Sequence, residues 1–157
     1  MASKNNKKHE IAVKWYYDAN ALDSGKGFYR EIINSRPKET LISHLAIGEA
    51  YGNCLGKGKE EAMAFTELMD KIRGLFGKYN IKIIGNDDIE KQLDIVRGKI
   101  KRISITDAVH LATALKYKCC MFRTSDRDLY GQDTLLIKEV SDGCDCETIS
   151  IKDMPSS

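Results

Sequence analysis

The sequence predicts an α/β fold, a three-layer α/β/α sandwich around a mostly parallel sheet. Three observations predict it. Short apolar runs rich in aromatic and β-branched residues alternate along the chain with longer stretches of helical period, the order that strand–helix–strand units require. Two of those runs, Ile81-Lys82-Ile83-Ile84 and Cys119 to Phe122, are apolar with little alternation, as strands covered on both faces are. The length, 157 residues, suits one compact domain whose core needs neither disulfides nor structural metal.

The elements follow in order. Ile11 to Tyr17 reads as a first buried strand that stops at Asp18. Ser24 can cap a helix running to about Asn34, and Pro37 breaks the chain after it. Thr40 to Ser43 is a short strand, and His44 to Leu55 a helix ended by Gly56 and Gly58. Lys59 to Lys78 is a long amphipathic helix with Ala62, Phe65, Leu68, Met69, Ile72 and Leu75 on one side. Tyr79 to Ile84 is a strand, and Asp87 to Lys99 and Thr106 to Lys118 are helices. Cys119 to Arg123 and Leu135 to Val140 read as strands, with Glu147 to Ile151 a last short one. The domain is expected to span residues 11–151, with a flexible basic arm over 1–10 and a flexible tail over 152–157.

Composition excludes some functions. Hydrophobic residues make up 42% and charged residues 31%, with 25 basic against 23 acidic side chains and a formal charge of +2. That balance does not by itself argue for nucleic acid, so any RNA contact must come from charge placement. No apolar run reaches transmembrane length and the lysine-rich start is unlike a signal peptide, which predicts a cytoplasmic protein with no membrane contact. Five cysteines, an odd count, argue against a disulfide framework. Cys119 and Cys120 read as core residues. The Cys144-Asp145-Cys146 turn offers two thiolates where structural zinc needs four ligands.

The acids carry the chemistry. In an open α/β sheet, sites form at the carboxyl ends of the strands. Asp18 closes the first strand and Asp126 follows the Cys119 strand, in Thr124-Ser125-Asp126-Arg127-Asp128-Leu129. Glu49 and Asp107 lie in largely apolar helices. Each acid alone has a plain structural explanation: a helix-dipole partner for Asp107, a turn cap for Asp126, solvent or a lysine for Glu49. Convergence of all four would defeat those explanations, because four like charges at close range call for a divalent cation.

The segments Tyr17-Asp18-Ala19-Asn20-Ala21-Leu22, Ser43-His44-Leu45-Ala46-Ile47-Gly48-Glu49, and Asp107-Ala108-Val109-His110-Leu111-Ala112-Thr113-Ala114-Leu115 followed by Thr124-Ser125-Asp126-Arg127-Asp128-Leu129 resemble the motifs of PIN domains, especially VapC-type toxins. The match runs from about Ile11 to Val140. Two features depart from the pattern: Asn20 stands where many members have Ser or Thr, and the chain is longer than many such toxins.

The resemblance implies a Mg²⁺- or Mn²⁺-dependent ribonuclease that hydrolyses RNA phosphodiester bonds. It implies Asp18 and Asp126 as direct metal ligands, Asp107 direct or through water, and Glu49 through water. The metal would activate a water and stabilise the departing oxygen. Asn20, Thr124 and Asp128 are expected to support the site, Asp128 as a turn or helix-cap residue. Arg102, Arg123 and Arg127 are candidates for phosphate contact. Trp15 and Tyr16 have the chemistry to stack a base but sit where core residues do, and His110 is expected to pack or cap within the core. An antitoxin protein and a homodimer come from the resemblance alone. The competing reading is a catalytically inactive PIN-fold module that binds RNA or protein. An aspartyl-nucleophile phosphatase is disfavoured by Asn20, and there is no Walker A loop.

Overall fold

The computed structural model describes residues 13–23, 26–34, 38–75 and 79–154. Strand β1 (Lys14–Tyr17) leads through α1 (Ala19–Asp23) and α2 (Lys26–Asn34) to β2 (Glu39–Ser43). Then come α3 (His44–Lys57), α4 (Lys59–Gly74), β3 (Ile81–Ile84), α5 (Glu90–Lys99), α6 (Ile105–Lys116) and β4 (Met121–Arg123). The short α7 (Arg127–Tyr130), α8 (Thr134–Gly143) and β5 (Ser150–Lys152) complete the described chain. The arm over 1–10, the proposed cap Ser24, and Pro37 lie outside the described residues.

Among the described residues the sheet has five strands in the order β3-β2-β1-β4-β5, and every pairing is parallel. The chain lays β2 and β3 to one side of β1, then crosses over to lay β4 and β5 on the other. The order therefore reverses between β1 and β4, and the crevice at their carboxyl ends is the place where such a sheet admits a ligand. Asp18 leaves β1 at that point, and Thr124 to Asp126 leave β4 there.

Alternation along the strands sends neighbouring side chains to opposite faces. Tyr16, Leu41 and Phe122 pack on one face with Val96, Leu111, Leu115 and Val140 from α5, α6 and α8. Tyr17 and Ile42 pack on the other with Leu22, Phe28, Ala46, Phe65 and Ile72 from α1 to α4. Helix α6 is buried from Ala108 to Leu115 apart from the half-buried Val109, so its polar residues His110 and Thr113 must find partners inside the protein.

Local signals set the helix starts. The Ser43 hydroxyl accepts from the Ala46 N–H at the start of α3, and Ser104 does the same for Asp107 at the start of α6. Gly58, at φ 139°, makes the corner between α3 and α4 in a backbone region closed to other residues.

Two expectations need correction. Leu135 to Val140 is not a strand but the middle of α8. A short apolar run is ambiguous between strand and buried helix. Here Asp133 caps the segment through the Leu135 N–H, and Ile137, Val140 and Ser141 face the core at helical spacing while Leu135 is exposed. Lys152, assigned to the tail, pairs with Arg123 in β5, and Met154 packs against the core. Other differences are smaller: α4 ends at Gly74, and α1 adds a helical turn between Asp18 and α2. No helix among the described residues is long and apolar enough to cross a membrane.

Candidate metal centre

Asp18 is the buried centre of the site, 3% exposed. Its backbone N–H donates to the Arg123 carbonyl at 3.0 Å, which continues the β1–β4 pairing by one residue and fixes where the carboxylate begins. Its Oδ1 accepts from the Ala19 N–H at 2.7 Å and its Oδ2 from the Thr124 hydroxyl at 2.9 Å. The His110 Nε2 lies 3.2 Å from Oδ1 and also meets the Glu49 Oε1. The candidate ligand atoms of Asp18, Glu49 and His110 all lie within 4.8 Å of one another, a spacing one metal ion can bridge.

The loop after β4 closes the other side. Asn20 Oδ1 accepts from the Ser125 N–H at 2.9 Å and sits 3.3 Å from the Thr124 hydroxyl. Thr124, fully buried, accepts the Asp126 N–H at 3.0 Å while it donates to Asp18. Asp126 is the N-cap of α7, its Oδ1 receiving the Asp128 N–H at 2.9 Å. The cap expected of Asp128 therefore belongs to Asp126, because the helix begins one residue after Asp126 and only that side chain can fold back over the first turn.

Asp107 enters from the first turn of α6 and hydrogen-bonds the Asp126 carboxyl. Burial, then the Asp126 hydrogen bond and charge, then the Asp18 charge, push its pKa from the usual carboxylate range up to about 6, against the pull of a Ser104 hydrogen bond. Burial and neighbouring like charge raise an acid in this way, and acids so perturbed cluster at functional sites. The donor set is carboxylate oxygens, which suit hard Mg²⁺ or Mn²⁺, with the His110 imidazole set against two of them. The residues present fit such an ion.

The arginines divide. Arg123 is engaged elsewhere: its Nε donates to Glu31 at 3.0 Å, its guanidinium to the Asp153 carbonyl at 2.8 Å, and it lies 5.1 Å from the Trp15 ring. Lys38 covers the same ring at 4.5 Å. Arg102 and Arg127 are exposed, on the turn before α6 and on α7. Tyr16 is fully buried in the core.

Sequence reasoning did not foresee a polar chain behind the acids. The Tyr16 hydroxyl lies 2.5 Å from His110 Nδ1 and 2.7 Å from Ser43 Oγ. Asn86 accepts the Leu45 N–H and donates to Thr113 on α6. His110 is buried, as expected, but it faces the acids. The available signal was its position three residues after Asp107, which puts both on one side of α6.

No family model matches the sequence, and no curated protein matches it. Solved structures do. VapBC2 from Rickettsia felis, bound to a DNA fragment from their promoter, has a chain that superposes with a TM-score of 0.59 at 12% identity, covering 91% of this chain and 100% of that one. FitAB bound to an IR36 DNA fragment gives 0.55 at 14%, over 88% and 94% of the two chains. PAE2754 from Pyrobaculum aerophilum gives 0.58 at 21%, over 83% and 98%. The fold is thus PIN-like, a five-stranded parallel sheet flanked by helices. What the chain shares with these structures is that architecture, and it carries its own buried acidic cluster at the sheet's point of reversal.

Proposed function

We propose that the chain is a Mg²⁺- or Mn²⁺-dependent ribonuclease that hydrolyses RNA phosphodiester bonds. The supporting observation is that Asp18 and Glu49 come together beside His110 at a spacing one metal ion can bridge, while Asp107 and Asp126, outside that group, hydrogen-bond each other near enough for Asp107 to feel the Asp18 charge. A divalent ion held there would supply charge stabilisation for the scissile phosphate and a nucleophile at neutral pH. Asp18 is the central ligand, pinned by Ala19 and Thr124. Asp107 and Asp126, which hydrogen-bond each other, would complete the ligand set. Glu49, half-exposed beside His110, stands at the mouth, where it can take and hold a water's proton. Thr124 and Asn20 tie the two strand ends together. Arg102 and Arg127 are the cations available to the RNA backbone, and Arg123 serves the scaffold.

The VapBC2 and FitAB structures support a second protein as partner, and we assign this chain an antitoxin partner on that likeness; a homodimeric state is assigned on the resemblance of its motifs alone. The decisive experiment is incubation of the purified protein with defined RNAs, with Mn²⁺ and with EDTA, beside a thermal-shift titration with Mn²⁺. Metal-dependent cleavage with metal-dependent stabilisation bears the reading out. Neither effect would leave a PIN-like module that binds without cutting.

A further inference from the structure

The chain Ser43–Tyr16–His110 ends on two of the acids, Asp18 and Glu49, and its hydrogen atoms can be counted. Ser43 Oγ spends a lone pair on the Ala46 N–H, so its own hydrogen is free for the Tyr16 oxygen 2.7 Å away. Burial pushes the Tyr16 phenol far above its usual pKa, so the phenol keeps its proton. With Ser43 donating to its oxygen, that proton points along the 2.5 Å contact to His110 Nδ1. Nδ1 is then an acceptor, and the ring carries its hydrogen on Nε2, facing Asp18 Oδ1 at 3.2 Å and the Glu49 carboxylate. The reverse order would aim a bare nitrogen lone pair at two carboxylates, which is repulsive.

The geometry points to His110 as a positioning residue: Ser43 and Tyr16 hold it in the Nε2–H tautomer, and that N–H clamps the Asp18 and Glu49 carboxylates at a metal-binding spacing. The inference rests on the reading of the cluster as a metal centre. It assigns His110 as a second layer behind the ligands, the place where partners of metal ligands tune affinity. The anchoring is long-range. Glu49 rides on α3, packed on one face of the sheet, and His110 on α6, packed on the other; the clamp joins the two layers through the ends of β1 and β2.

The test reads the tautomer directly. Long-range ¹H–¹⁵N spectra of the metal-free protein in EDTA, with the His110 signal assigned by its loss in His110→Gln, should show a protonated Nε2 and a bare Nδ1. Tyr16→Phe, which keeps the core volume, should mix the tautomers and weaken Mn²⁺ binding roughly 10- to 100-fold, the usual cost of losing such a partner. Free Mn²⁺ counted by electron paramagnetic resonance gives the affinity. His110→Gln, which retains an N–H donor, should bind Mn²⁺ more tightly than His110→Leu. A ring protonated on Nδ1, or on both nitrogens, overturns the clamp even if the wild type binds Mn²⁺. So does His110→Leu with wild-type affinity. An Nε2–H ring in a wild-type protein that takes up no Mn²⁺ overturns the metal reading, and the clamp falls with it.

Discussion

The Thr124 hydroxyl donates to Asp18 at 2.9 Å across 106 residues of sequence. The same oxygen accepts the Asp126 N–H at 3.0 Å. One small side chain thus sets the distance between an acid that ends β1 and an acid that follows β4. Thr124→Val keeps the shape and removes both bonds. Because one of them goes to a buried charged group, the expected cost is about 2 kcal/mol of unfolding free energy, read by urea denaturation in EDTA. Wild-type stability in that variant would show that the loop is held by other contacts.

Asp18→Asn should abolish cleavage and leave the metal-free fold standing. Three donors face the carboxylate, which at first sight forbids an amide. The Thr124 hydrogen, however, can turn to Asn20 Oδ1 at 3.3 Å, and the hydroxyl oxygen can then accept from the new amide. Relief of repulsion with Asp107 offsets the weaker acceptor, so metal-free stability should hold within about 1 kcal/mol of wild type. Asp18→Ala offers no acceptor to any of the three and should unfold far more easily. Undiminished cleavage by Asp18→Asn would remove the central ligand from the scheme.

Asp126 and Asp128 separate cleanly. Asp126→Asn keeps the cap on α7, since Asn is as good a cap as Asp. It should melt like the wild type in EDTA yet lose Mn²⁺-induced stabilisation and cleavage together. Asp128→Asn, exposed and contributing its backbone N–H, should keep all three properties. A Mn²⁺ titration of both variants by thermal shift decides, and the reverse ranking would reassign the ligand.

Stability of the metal-free protein should depend on pH through Asp107. Its folded pKa, about 6, is raised above the ordinary carboxylate value, so the folded state holds the proton more tightly than the unfolded chain. That contribution is fully present below about pH 4 and is lost as pH rises through about 6. The difference in unfolding free energy between wild type and Asp107→Asn, followed in EDTA from pH 4 to 7, should therefore move against the wild type. A flat difference would mean that Asp107 titrates normally.

The arginines should separate by assay. Arg123→Ala takes the guanidinium from Glu31, whose side chain is 7% exposed and keeps the Tyr17 hydroxyl as a hydrogen-bond donor, and should cost about 3 kcal/mol. Arg127→Ala and Arg102→Ala should leave melting unchanged and weaken RNA binding with a shallower salt dependence. Filter binding at several salt concentrations distinguishes the two behaviours.

The strands at the centre of the sheet and the acids at their ends were legible because both signals are local. A run such as Trp15-Tyr16-Tyr17 ending in Asp18 states its own structure and its own end. Leu135 to Val140 misled because six apolar-leaning residues fit either period, and the deciding feature, the Asp133 cap, lies outside the run. The capping role that Asp126 could have as a lone acid is the one it has, while the helix cap expected of Asp128 was wrong because a four-residue helix leaves no periodicity to read. His110, Tyr16 and Ser43 were invisible as a unit for a different reason. They lie 94 and 27 residues apart, and their meaning appears only when β1, β2 and α6 are packed together.

The parallel order of the sheet has a consequence for how the chain is made. β1 is the middle strand, yet its second neighbour, β4, begins at Met121. Until the ribosome has released residues past Asp126, the nascent polypeptide has Asp18 and Glu49 but no Thr124 to fasten the first and no Asp126 to complete the ring. A product stopping anywhere before β4 would lack Thr124 and Asp126 together, and with them the fastening that joins the end of β1 to the loop after β4.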